Sequence, residues 1–383
     1  MQIGIHYSVF FEKQVSKEHS MKRAKRVYIS DIHMNAGMSL SPPQGRYSYE
    51  WLDHKMARRF AEFLRYLNRS ADVREVVILG DLMDDWVYPV DVVPPNFQDI
   101  VDAPVNTEIV RELKNLSNNA DISVVYLPGN HDMGISKKFL QRNFPGMVFG
   151  GSALKNSAYR TSRLRAEHGS AYSMFNAPDP MNNPSRRLPL GYFISRVTAS
   201  KEYETGSDKR HYWSYADDLL EALGPQQLAA SVFEAILEEA GLSAEAEIKM
   251  PLVRGKLITI TAGEVKERYS GLYAQWKQQY GPGTAFKGVL AEIGYLGDIA
   301  DTLCKSGDTN IVVFGHSHGW VLDKDSLFVE NRIYANCGTW CDDKLPRTFV
   351  ETEKDEKNKI HVVRVMDWNN GQVRALDEKE VSL

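Results

Sequence analysis

The stretch that most constrains this 383-residue chain is Val76-Val77-Ile78-Leu79-Gly80-Asp81. Four apolar, mostly β-branched residues without polar alternation read as a strand buried on both faces. Glycine permits a sharp exit, and Asp81 stands at the strand's carboxyl end, the edge of an open α/β sheet where ligands collect. A carboxylate there either caps the next turn or holds a cation. The pattern recurs. Arg26 to Ile29 runs into Ser30-Asp31-Ile32-His33, and Ile122 to Leu127 into Pro128-Gly129-Asn130-His131-Asp132. Tyr159 to Glu167 stops at His168-Gly169, and Ile311 to Phe314 meets Gly315-His316-Ser317-His318. Each ending alone has a bland reading, a turn residue with an incidental histidine. The ordered recurrence favours strand ends that converge.

Between these strands the chain shows helical spacing. Leu52, Met56, Phe60, Phe63, Leu64 and Leu67 predict an amphipathic helix over Glu50 to Arg69, and Ile109, Val110, Leu113 and Leu116 a second over Asn106 to Asn118. Tyr88 to Val105, with four prolines, reads as a long loop beside the site, and Trp86, Val92, Val93 and Phe97 either face substrate or pack on the sheet edge. Arg186 and Arg187 are candidates for anionic substrate groups, with solvated surface arginines as the plainer reading. Residues 191–306 turn helical, with Leu219, Leu220 and Leu223 opening the first helix and a capping box at Thr261 and Glu264. Val289, Leu290, Ile293, Leu296, Ala300 and Leu303 predict one further helix. This region reads as an insertion, or cap, between sheet strands. The core is then 21–190 and 307–383. Phe328 to Ala335 reads as a strand, and Thr348 to Trp368 as a two-stranded tail. Residues 1–20 read as an extension, with Met21 an alternative start to Met1.

Composition narrows the partners. A net charge of -4 argues against nucleic-acid binding through charge, and no basic, aromatic-interleaved stripe appears. Three cysteines make no disulfide framework and point to a reducing cytoplasm. Cys337 and Cys341 lack the second pair of a structural zinc site. No apolar run is long enough to span a membrane, and a peripheral contact with the inner membrane stays open.

Asp31, His33, Asp81, Asn130, His168, His316 and His318 are too many ligands for one ion and fit two if a carboxylate bridges. Mixed imidazole and oxygen donors suit Mn, the first choice, with Fe, Zn, Ni or Co as alternatives, better than Ca or Mg. Two such ions roughly 3.5–4 Å apart clamp a phosphate.

The set Asp31-x-His33, Gly80-Asp81-x-x-Asp84, Gly129-Asn130-His131-Asp132, His168-Gly169 and Gly315-His316-x-His318 resembles the calcineurin-like metallophosphoesterase family. The resemblance covers the core and leaves the insertion unexplained. It implies a four-layer α/β/β/α sandwich, here with a helical insertion. It also implies roles: Asp31, His33 and His318 on the first metal, Asn130, His168 and His316 on the second, and Asp81 bridging. His131 would be the proton donor or transition-state stabiliser, oriented by Asp84. The implied reaction is hydrolysis of a phosphodiester or pyrophosphate bond by a metal-activated hydroxide. A catalytically silent metal-binding scaffold would lack His131 or some ligands, and all are present. Gly80 to Trp86 and Tyr334 to Trp340 look like the UDP-2,3-diacylglucosamine pyrophosphatase branch, whose substrate is a lipid-linked nucleotide. Ser170 departs from that branch, where Asp follows His-Gly. A phosphomonoesterase or phosphodiesterase for a small soluble or nucleotide substrate is the alternative.

Overall fold

The computed structural model describes residues 24–36, 52–151, 157–184, 186–205, 226–252, 255–292, 294–305, 307–355, 357 and 359–382. The extension 1–20, the choice between Met1 and Met21, Glu50, and Leu219, Leu220 and Leu223 lie outside these.

The buried runs form two sheets. The first has seven strands in the order β14-β13-β12-β1-β2-β3-β4. Its parallel half is β1 (Lys25–Ile29), β2 (Val73–Leu79), β3 (Ser123–Leu127) and β4 (Val148–Phe149). Its antiparallel half is β12 (Thr348–Asp355), β13 (Ile360–Asn369) and β14 (Gln372–Ser382). The second sheet runs β10-β11-β9-β6-β5. It comprises β5 (Tyr159–Thr161), β6 (Arg163–Ala166), β9 (Thr309–Phe314), β10 (Trp320–Lys324) and β11 (Ile333–Cys337). Strands β6, β9 and β11 are parallel.

The sheets pack face to face through Tyr28, Val77, Leu79, Leu127, Leu164, Ile311, Val313 and Val350. Because β2 is covered on both sides, its alternate residues Val76 and Ile78 face the other way, into a helix layer. That layer is α1 (His54–Arg69) and α3 (Thr107–Ser117). The Asp53 side chain caps α1 by accepting from Met56 N at 2.7 Å, and the stripe Met56, Phe60, Phe63, Leu64 and Leu67 is buried. On the outer face of the second sheet, Val312, Phe314 and Tyr334 meet Leu296, Ile299 and Ala300. The order is therefore helix, sheet, sheet, helix, as expected of a metallophosphoesterase sandwich.

Several elements differ from the sequence expectation. The proline-rich loop holds a short helix, α2 (Phe97–Asp102), set by a capping box between Asn96 and Asp99. Tyr159 to Glu167 is a hairpin turned at Arg163, whose φ is +59°. Phe328 is 70% exposed in a turn, and the strand begins only at Ile333. The tail has a third strand, β14, mostly polar and exposed, so no apolar alternation announced it.

Among its described residues the insertion is helical apart from one small hairpin, β7 (Glu247–Lys249) with β8 (Thr259–Thr261). Its helices are α5 (Leu190–Thr205), α6 (Leu228–Glu239), α7 (Ala262–Tyr269), α8 (Leu272–Tyr280) and α9 (Pro282–Glu292). The single helix expected from Val289 to Leu303 is two, α9 and α10 (Gly297–Cys304), with Gly294 at φ +91° between them. α10 carries the residues that cover the second sheet. The rest of the insertion packs around its own core, which reaches Trp86 and Met133 at the sheet edge. The short helix α4 (Lys137–Asn143) completes the first layer.

Candidate metal centre

All the strand ends named from the sequence meet at one edge of the sandwich. Asp31 and His33 follow β1, Asp81 follows β2, and Asn130 follows β3. His168 follows β6 in the facing sheet, and His316 and His318 follow β9. Parallel strands put all these carboxyl ends on the same side.

The turns are locked by unusual backbone. Asp31, His33, Asp81, His316 and His318 all have φ between 50° and 71°. That left-handed region is uncommon for residues other than glycine and costs of order 1–3 kcal/mol each. It is held by cross-loop bonds: Ile32 N and His33 N both donate to Asp81 O at 2.9 Å, and Asp84 N donates to Met34 O at 2.8 Å. Gly80 and Gly129 let two of these loops touch. A Cβ on Gly80, at φ +85°, would stand 2.4 Å from Gly129 N, and one on Gly129 would stand 2.2 Å from Asp81 Oδ1. Asp132 ties the same loops from below, accepting from Gly129 N at 2.6 Å and Leu82 N at 2.8 Å.

On one side, His33 Nε2 and His318 Nε2 face each other at 3.1 Å. Asp31 Oδ1 is 3.4 Å from the His318 nitrogen and 3.9 Å from that of His33. On the other side, His168 Nε2 is 2.9 Å from Asn130 Oδ1 and 3.2 Å from Asp81 Oδ2. The His316 ring lies beside His168, centroids 5.2 Å apart, and its backbone N donates to Asp31 Oδ2 at 2.9 Å. Asp81 Oδ2 also lies 3.9 Å from His33 Nε2, so it stands between the two groups. Asp31 and His33 converge through left-handed backbone.

This donor set fits divalent cations. Asp31 Oδ1 is fully buried and accepts no hydrogen bond, a costly state for a carboxylate without a positive partner. Among the described residues, Asp31, Asp81 and His168 form one cluster with ligand atoms within 4.8 Å of one another, and His33, Asp81 and His131 form another. Burial opposes protonation of His168, but Asp81 raises it to about 9. Burial and the neighbouring His168 push His316 down to about 3.

Two supports escaped sequence reading. Asp84 Oδ2 is 3.0 Å from His131 Nδ1, the partner expected, but also 2.8 Å from His33 Nδ1. One carboxylate thus orients a metal-ligand candidate and the acid candidate together. Its other oxygen accepts from Trp86 N and Val87 N. Burial opposes its charge, yet the two imidazoles hold its carboxyl far below the usual range. The second support is Asn176, whose Oδ1 accepts from Asn130 Nδ2 at 3.2 Å and so turns Asn130 Oδ1 toward His168. No local motif marks Asn176.

His131 is partly buried, with its ring stacked on Trp86 at 4.3 Å. Trp86 itself is buried in the insertion's core and does not line an open wall, and Val92 and Val93 are buried as well. Arg186 donates to the Pro251 carbonyl, and no contact ties Arg186 or Arg187 to the centre among the described residues.

The fold is that of a metallophosphoesterase. Residues 25–193 match the model of the calcineurin-like phosphoesterase family, which supports the resemblance carried by the motifs. The matched segment contains Asp31 through His168 and ends inside α5. Among solved structures the chain is similar to vacuolar protein sorting 29 from Cryptosporidium parvum, at 12% identity over 94% of this chain and 98% of that one, TM-score 0.33. It is similar to the calcineurin-like phosphoesterase YfkN from Bacillus subtilis, at 11% identity over 94% and 90%, TM-score 0.29. GAP50, the anchor in the inner membrane complex of Plasmodium, matches at 11% identity over 94% and 89%, TM-score 0.37. No curated protein matches the chain. No helix among the described residues is long and apolar enough to cross a membrane.

Proposed function

We propose that this chain is a binuclear metal-dependent phosphoesterase that cleaves a phosphodiester or pyrophosphate bond. The observation that carries the reading is the pair of donor groups around Asp81: His33, His318 and Asp31 on one side, His168, Asn130 and His316 on the other. Two divalent cations held there supply positive charge to the phosphoryl oxygens and acidify water. The chain's own residues do the rest. Asp31, His33 and His318 hold the first ion, Asn130, His168 and His316 the second, and Asp81 both. With Nδ1 3.0 Å from Asp84 Oδ2, His131 uses Nε2 to give a proton to the leaving oxygen. Trp86 fixes the plane of that ring by stacking.

For the substrate, the stretches Gly80 to Trp86 and Tyr334 to Trp340 favour a UDP-2,3-diacylglucosamine-like pyrophosphate. That reading places the protein in the cytoplasm, peripheral to the inner membrane, with no nucleic-acid partner. A small soluble phosphoester is the second reading, supported by the burial of Trp86 in the insertion's core instead of along an apolar trough. The test is a metal-reconstituted panel of bis-p-nitrophenyl phosphate, p-nitrophenyl phosphate and UDP-2,3-diacylglucosamine. Cleavage of the lipid nucleotide is expected under the first reading. Exclusive monoester cleavage removes it, and no turnover with any of Mn, Fe, Zn, Ni or Co removes the hydrolase.

A further inference from the structure

We propose that Cys341 is a further ligand of the first cation, and that this makes its site one for a thiophilic ion, zinc or ferrous iron, more than for manganese. The inference rests on the reading that the centre holds metal ions.

Cys341 Sγ, one ring nitrogen of His33 and one of His318 lie within 4.8 Å of one another. The sulfur is not there by accident of packing. Its loop is fastened to the first ligand: Trp340 N and Thr339 Oγ1 both donate to Asp31 O, at 3.0 and 2.9 Å. Thr339 Oγ1 also stands 3.1 Å from Cys341 Sγ and accepts from Cys341 N at 3.3 Å. Cys341 is 4% exposed, so solvent does not compete for it.

A second group points to the same place. Asp31 Oδ1, fully buried and accepting no hydrogen bond, is within 4 Å of His33 Nε2 and His318 Nε2. With the Asp81 oxygen that both ions would share, two nitrogens, two oxygens and one sulfur make a five-donor set that zinc or ferrous iron accepts. The other two cysteines are placed differently. Cys337 is sealed between the sheets, and Cys304 lies under the outer face of the second sheet.

Thiolate ligands shift a mixed imidazole and carboxylate site toward softer ions. No paired-cysteine spacing marks Cys341, because its neighbours are histidines from other strands.

The full-length protein loaded with cobalt(II) tests this. A thiolate-to-cobalt charge-transfer band in the near ultraviolet is expected, lost in Cys341→Ser while the cobalt content and visible ligand-field bands persist. Bound cobalt without that band, or a band that survives Cys341→Ser, overturns the role of Cys341 and leaves the metal centre standing. Failure to bind cobalt at all overturns the metal reading, and this inference with it. Should Cys341→Ser not fold, X-ray absorption of the zinc-loaded wild type decides. One sulfur neighbour at about 2.3 Å is expected, and a shell of nitrogen and oxygen alone overturns the proposal.

Discussion

Asp84 Oδ2 lies between two imidazole Nδ1 atoms, 2.8 Å from His33 and 3.0 Å from His131. With Nδ1 of each ring beside Asp84, the proposed roles fall to Nε2, a cation for His33 and substrate for His131. The two histidines are separable by mutation because only one of them is expected on a metal. His131→Ala is expected to retain its full metal content and to lose roughly 10²–10⁴ in turnover. Metal analysis beside steady-state kinetics checks both halves, and unchanged turnover would remove His131 from the mechanism. The candidate ligands were legible as residue types after strands. The second duty of Asp84 was not, because His33 is 51 positions away and reaches it only through the paired turns.

At the scale of elements, the centre depends on loops that touch backbone to backbone. The β2 and β3 exits meet where Gly129 faces Asp81. A methyl group there has 2.2 Å to Asp81 Oδ1 and 2.7 Å to Asp81 N, so one loop must move. Gly129→Ala is expected to cost about 1–3 kcal/mol and to weaken metal binding together with stability. A thermal melt with and without metal reads both, and a variant that melts like wild type and binds metal equally contradicts the close approach. The buried strands and α1 announced themselves by unbroken apolar runs and helical spacing. Strand β14 did not, because an edge strand with both faces largely in water needs no apolar alternation. The split of α9 from α10 was hidden for the opposite reason. Both helices are apolar, and the spacing of Val289, Leu296 and Ala300 runs on across the break at Gly294.

At the scale of the whole molecule, Glu292 links the insertion to the centre. The last residue of α9, it accepts from Ser173 Oγ and Phe175 N, and from Asn176 Nδ2 at 3.0 Å, and Asn176 in turn holds Asn130. Burial pushes its carboxyl from the ordinary 4.5 up to about 7, against those hydrogen bonds. The folded state therefore binds this proton more tightly than the unfolded chain. The stabilisation is complete below pH 4.5 and is lost as pH rises to about 7, a change of about 3 kcal/mol. Relative to wild type, Glu292→Gln is expected to gain stability from pH 5 to about pH 7 and to level off by pH 8. Denaturant titrations across that range check it, and a constant difference would mean that Glu292 does not titrate there.

Sequence alone determined the buried strands, the residue type at each strand end, and their order along the chain. Those follow from short-range rules: apolar runs need covering, and glycine with a polar residue marks an exit. What only the tertiary structure decided is which of those ends share space. Asp81 comes to stand between two donor groups because two sheets stack with their parallel strands ending on one side. Asn176, Glu292 and Cys341 join the centre from loops and a helix whose own sequence carries no local signal. Proximity across a sandwich is set by sheet order and packing, and neither is encoded in any window of neighbouring residues.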